Sequence, residues 1–239
     1  MVKLIVQQEL GEYSAVREVL RMCGNYSPVL SISGGTQKGK SLFAVTLARF
    51  ISKNIFKKDF DYKRNTCLDT DQLIDITKKS RKEVIIIEET ANQLNKANWY
   101  SADSKDTFFT LISQAFRKNV YIFCQPHLTD VSKSNRLFVN YQFVIEKKYK
   151  KIKACFIKPQ EVVRVYWDLK GRGFFVRMNA PMLPFFFVYT DEQFKIGKEY
   201  TDWIEDVFKD DKIMDDLRRK RGMIPEKPEV MPDPVTISI

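Results

Sequence analysis

A single histidine, His127, and four cysteines without any CxxC pair leave little from which to build a zinc site or a histidine-based catalytic pair. Cys67, Cys124 and Cys155 sit in or beside apolar runs, where a free thiol behaves as a small hydrophobe; such usage fits a reducing compartment. No apolar run approaches the ~18 residues that a membrane helix needs. The longest, from Pro184 to Val188, has the length of a strand. The opening MVKLIVQQELGEY carries too short an apolar stretch for a secretion signal, and acids follow at once. The expectation is a soluble, cytoplasmic protein.

Acidic charge is also in short supply. Against 40 Lys and Arg stand 30 Asp and Glu, a net charge of +10 with a pI near 9.3. That imbalance speaks about partners and not about fold: nucleic acid first, an anionic membrane surface second, with a merely lysine-rich surface as the plain alternative. The 239 residues are 44% hydrophobic, enough for one substantial core, and the length suggests one domain with a small appendage.

Along the chain, β and α patterns alternate. Residues 1–27 read as an N-terminal arm and a helix over 14–22. A β run at 28–33 leads into a Gly-rich loop, and apolar residues at helical spacing follow (Leu42, Val45, Leu47, Ala48, Ile51). Thr70 can cap a helix over 71–79. Val84-Ile-Ile-Ile87 and Val120-Tyr-Ile-Phe-Cys124 have no polar alternation, as expected of strands covered on both faces, and a further strand is expected over 138–145. Alternation from 28 to 145 implies an α/β fold with a mostly parallel sheet flanked by helices. A hairpin around Lys170-Gly-Arg-Gly173 and an amphipathic helix from Asp191 to about Arg221 follow, closing an expected domain over 28–222. Residues 223–239 hold four of the nine prolines over Pro225–Ile239 and read as a flexible tail.

The most specific motif is Gly34-Gly35-Thr36-Gln37-Lys38-Gly39-Lys40-Ser41, which satisfies G-x-x-x-x-G-K-[ST] and runs on into Leu42. Glycines admit backbone angles that side chains forbid, so successive N–H groups can turn inward around phosphates. Lys40 would set its ammonium against the β- and γ-phosphates, and Ser41 its hydroxyl on Mg²⁺, at the positive end of the helix it opens. The loop lies between a β run and an amphipathic helix, as that chemistry requires. It is a P-loop, and the implied cofactors are ATP and Mg²⁺.

Glu88 and Glu89 end the Val84–Ile87 strand. One carboxylate can reach the metal on the phosphates while the other aligns the attacking water, because phosphoryl transfer rests on positioning. Glu88 is assigned to the metal and Glu89 to the water. The two roles are exchangeable on sequence alone, since the metal-side acid is more often Asp and Glu is one methylene longer.

Together, the Lys40/Ser41 loop, the IIIEE strand end and Tyr121-Ile-Phe-Cys-Gln125 resemble the additional-strand, catalytic-glutamate branch of P-loop ATPases. Within it the pattern is similar to the HerA–FtsK superfamily of DNA-pumping motors, which includes viral genome-packaging ATPases, with zonula-occludens-toxin-like phage proteins as relatives. The stretch from Glu88 to Arg136 carries much of the likeness through EET, Trp99, Gln114-Ala-Phe-Arg117 and Gln125-Pro126. The resemblance implies a RecA-like fold in which the Gln125 strand lies between the P-loop strand and the acidic strand. It also implies Gln125 as a γ-phosphate sensor and an arginine finger, Arg117 or Arg136, reaching into a neighbouring subunit of a ring, expected to be a hexamer. Neither the N-terminal barrel nor the winged-helix DNA reader of that family is expected within these 239 residues.

The implied function is ATP-driven translocation of double-stranded DNA, with a capsid or portal-like protein as a further partner. Lys147, Lys148, Lys170 and Arg172 are the candidate DNA contacts, sequence-blind and salt-sensitive; a solvated basic hairpin is the alternative. Two rivals stand beside the motor. One is a nucleotide-dependent assembly or extrusion factor that moves no DNA, and the other is a small-molecule kinase, for which no acceptor site is evident.

Overall fold

Val29–Ser33 (β1) is buried at all five positions, and the reason is its place at the centre of a sheet. A computed structural model describes residues 9–88, 115–127, 138–169 and 172–210. The strands that follow are Thr66–Cys67 (β2), Val84–Ile87 (β3), Val120–Gln125 (β4), Val139–Tyr149 (β5), Ala154–Leu169 (β6), Arg172–Pro181 (β7) and Phe185–Val188 (β8). Their order in the sheet is β2-β3-β4-β1-β5-β6-β7, with β8 also paired to β6. From β2 to β5 every pairing is parallel; β6, β7 and β8 add antiparallel strands. The α/β architecture expected from the alternating pattern is therefore present, and β4 lies between the P-loop strand β1 and the acidic strand β3.

Helices cover both faces of the parallel part. Lys40–Ile51 (α2) packs on one face, where Phe43 meets Phe143 with ring centroids 5.6 Å apart. Phe143 is level with Ile32, so the face α2 covers is that of Ile32 and Leu30. On the opposite face Leu73 and Ile76 of Thr70–Lys79 (α3) join Val29, Ile85, Ile87, Tyr121 and Phe123 in one apolar cluster. Two covered faces explain why β3 and β4 carry no polar alternation. Asp69, not Thr70, caps α3: its carboxylate accepts the Gln72 N–H at 2.7 Å, and Thr70 is already the first helical residue.

Two further α-helices are described: Ser14–Cys23 (α1), which buries Ala15, Val16, Val19 and Cys23, and Asp191–Lys209 (α4). The chain divides into two compact units, residues 1–202 and 203–239. In the second unit the described residues, 203–210, are the last turns of α4 and the residue after it. The amphipathic helix expected to reach Arg221 is described as far as Lys209, and the tail lies outside the described residues. Among the described residues no helix is long and apolar enough to cross a membrane.

The expected hairpin around Lys170 is the β6–β7 ribbon. The β5–β6 ladder closes at Tyr141 opposite Glu161, whereas the β6–β7 ladder runs on to Leu169 opposite Arg172. Eight residues of β6, from Val162 to Leu169, thus extend the ribbon by about 26 Å at ~3.3 Å per residue. Because β6 is antiparallel to β5, this extension leaves the sheet at the edge where the parallel strands begin.

Candidate functional site

All the parallel strands end at the opposite edge, and there the loop after β1 turns into α2. Gly34 has φ +150° and its N–H donates to the Pro126 carbonyl at 3.0 Å, tying the start of the loop to the end of β4. A Cβ on Gly34 would lie 2.5 Å from the Ile145 carbonyl oxygen, so β5 presses directly on the chain there. Gly39, at φ +94°, caps α2, and its carbonyl accepts the Phe43 N–H at 3.0 Å. Gln37 also has positive φ, 59°, so the curl of the loop is not made by glycine alone. Within the curl, Lys38 N–H donates to the Gly35 carbonyl at 3.3 Å. Lys40 is buried and its ammonium reaches the same carbonyl at 3.4 Å, which folds the side chain back across the loop.

This arrangement fits an anion. The first N–H groups of an α-helix have no intrahelical acceptor, and the α2 dipole points its positive end into the loop. Lys40 adds a full charge, and Ser41 supplies a hydroxyl next to it. Ser41 and Glu88 each offer a hard oxygen donor of the type Mg²⁺ takes.

Glu88 follows β3 directly. Its N–H donates to the Cys67 carbonyl at 3.1 Å, which continues the β2–β3 ladder one residue past the strand. The carboxylate is buried, with 6% of the residue exposed, and its Oε1 accepts a hydrogen bond from the Tyr200 hydroxyl at 2.7 Å. Tyr200 is fully buried; burial first, and then the Glu88 charge, push its phenol well above its ordinary value, so it stays a proton donor at neutral pH. Ile85 and Ile87 face the α3 cluster, so alternation turns Ile86 and Glu88 toward the face covered by α2. Glu89 lies outside the described residues.

Gln125 ends β4 opposite Ser33 of β1 and is buried. Its amide donates to the Ser31 hydroxyl at 3.1 Å, and the Gln142 amide donates to Ser33 at 2.9 Å. Two buried Gln–Ser pairs therefore brace the strand beneath the loop. The expected topology brings Gln125 to the right edge, one strand from the loop, and its amide is engaged with β1.

The basic residues separate. Lys147 and Lys148 are on the last residues of β5, beside the phosphate loop: the Lys148 stem lies 3.2 Å from where a Gly39 Cβ would be, and its ammonium is 5.7 Å from the centre of the Phe194 ring. Lys170 lies outside the described residues; Arg172 opens β7, at the other edge of the sheet. Arg117 is also at the far edge, in a 3₁₀ turn before β4, and its guanidinium donates to the Ser80 carbonyl at 3.2 Å. Arg136 lies outside the described residues.

Three contributors went unread in the sequence. Tyr200 and Gly197 sit in the amphipathic pattern of α4 with nothing local to mark them. Cys155 is more than a filler of apolar space: its thiol is directed at the Lys38 carbonyl of the loop, 3.9 Å away, and accepts the Tyr189 hydroxyl at 3.3 Å. Burial raises the thiol above its ordinary value, against the opposing Tyr189 hydrogen bond and Lys148 charge.

No family model matches the chain, and no curated protein matches it in sequence. Among solved structures, the N-terminal domain of zonular occludens toxin from Neisseria meningitidis aligns at TM-score 0.40 and 12% identity, over 64% of this chain and 94% of that one. The E. coli MS115-1 HORMA:CdnC:Trip13 complex aligns at 0.35 and 11%, over 51% and 48%. The Legionella pneumophila ATPase DotB aligns at 0.33 and 13%, over 92% and 64%.

Proposed function

We propose that this chain is a magnesium-dependent ATPase that drives the movement of double-stranded DNA. One observation carries the hydrolase part: the P-loop, Gln125 and Glu88 stand at the same edge of three adjacent parallel strands, β1, β4 and β3. With ~4.8 Å between neighbouring strands, the acid is about 10 Å from the loop across the sheet, the span that a phosphate chain with its metal fills. Bound Mg²⁺ supplies charge neutralisation on the transferring phosphoryl group. Lys40 and the loop amides hold the phosphates, and Ser41 and Glu88 are the oxygen ligands on the protein side. Glu89 is assigned to orienting water, and Gln125 to reporting on the terminal phosphate.

The DNA part is supported by the net charge of +10 and by the extended β6–β7 ribbon, where Arg172 opens β7; Lys170, two residues earlier in the sequence, is assigned beside it. In this reading the working form is a ring, taken as a hexamer, engaging a capsid or portal-like partner. The arginine finger is assigned to Arg136, since Arg117 is bound to the Ser80 carbonyl at the far edge.

Phosphate release from Mg-ATP, with and without duplex DNA at low and moderate salt, tests both parts. The expected result is turnover that DNA stimulates and salt suppresses, with Lys40→Ala abolishing nucleotide binding. Absence of magnesium-dependent nucleotide affinity would sink the proposal. Turnover that ignores DNA would remove the motor, and the assembly or extrusion factor would take its place.

A further inference from the structure

Helix α4 is fitted to the site with unusual tightness. Gly197 meets Leu42, in the first turn of α2, so closely that a Cβ there would be 1.8 Å from Leu42 Cδ1. One turn later comes Tyr200, which is fully buried, and the Tyr62 ring stands edge-on to it at 5.5 Å and 83°. Its hydroxyl ends on Glu88 Oε1. The helix is thus located by the Gly197–Leu42 contact, and the phenol by burial against the Tyr62 ring as well as by its bond to the acid.

The need for such a group follows from the acid itself. Glu has one more rotatable bond than Asp, and fixing that freedom at the metal costs conformational entropy. Holding the carboxylate at one oxygen in advance removes part of that cost. We propose that Tyr200 is the positioning residue for Glu88: helix α4 holds Oε1 through the phenol hydroxyl and so fixes the carboxylate in advance for the magnesium that a bound nucleotide would bring. This inference rests on the ATPase reading of the same site.

The test is the magnesium dependence of binding of a fluorescent ATP analogue, a readout separate from turnover. In Tyr200→Phe the ring and its packing remain and only the donor is lost. The Mg²⁺ concentration for half-maximal affinity should rise about tenfold, the scale of a hydrogen bond to a charged group, while affinity in EDTA stays unchanged. In a Glu88→Gln background the same substitution should add nothing, because the two residues act as one unit. A folded Tyr200→Phe protein with an unchanged or lowered Mg²⁺ requirement overturns the proposal. Should Tyr200→Phe not fold, para-aminophenylalanine and para-fluorophenylalanine at position 200 make the comparison at equal size. The amino form should keep the wild-type Mg²⁺ requirement and the fluoro form should lose it; equal behaviour overturns the proposal. Wild-type protein with no magnesium-dependent nucleotide binding takes down the ATPase reading and this one together. A magnesium-dependent wild type with an indifferent position 200 overturns this one alone.

Discussion

Substituting Gly34 with alanine isolates what the fold demands of the phosphate loop before any nucleotide is present. The added methyl would stand 2.5 Å from the Ile145 carbonyl oxygen, 3.3 Å from its carbonyl carbon and 3.3 Å from its Cβ. The first two are backbone atoms of a central strand and cannot turn aside as a side-chain tip can. The backbone at φ +150° is itself one that L-residues rarely adopt, at a cost of about 1–3 kcal/mol. Displacing packed neighbours costs a similar amount, so about 3 kcal/mol is the expected total. For a protein of this size that lowers the melting midpoint by roughly 6–12 °C. Gly35→Ala is the control, because a Cβ there finds its nearest atoms 3.7 Å away at the end of Lys38. Thermal unfolding of both variants without nucleotide, followed by circular dichroism, makes the measurement. If Gly34→Ala melts within 2 °C, to order of magnitude, of Gly35→Ala, the close seating of the loop on β5 is wrong.

Two further outcomes can be checked in the same way. Phe43 is fully buried against Phe143 and Phe187, so Phe43→Ala should cost about 3–5 kcal/mol and lower the midpoint by roughly 6–20 °C; a small shift would mean that α2 can collapse onto the sheet. All four cysteines are buried, and burial pushes the Cys23 thiol up to about 12 and the Cys67 thiol higher still. At about pH 8 a thiol-reactive reagent should therefore leave the folded chain unlabelled and titrate all four thiols in guanidinium, since the thiolate is the nucleophile. Rapid labelling of the native protein would contradict that burial.

Local chemistry made much of the site readable in advance. A P-loop announces itself because each of its residue types has a backbone or charge requirement that no neighbour can supply. Glu88 was readable because a carboxylate directly after a wholly apolar strand has few structural reasons to be there. The helix cap at Asp69 was missed by one residue because Thr70 is an equally good capping type, and only the Gln72 N–H decides between them. Lys147 and Lys148 stood out by charge alone, as did a second basic segment that includes Arg172. The antiparallel turn between β5 and β6 leaves the two lysines beside the loop and sends Arg172 to the opposite edge of the sheet.

By itself, the sequence determined that a phosphate-shaped loop would sit between a buried strand and a helix, and that an acidic strand end would accompany it. Those features depend on contiguous residues, through backbone angles, hydrogen-bonding groups and periodicity. Only the tertiary structure decided that the Glu88 carboxylate would be held by Tyr200, 112 residues later, and that Gly197 would let α4 close on α2. It alone decided, too, that Cys155 would lie under the loop. Such contacts arise from packing between elements distant in the chain, where a tyrosine, a glycine or a cysteine looks locally like any other buried residue.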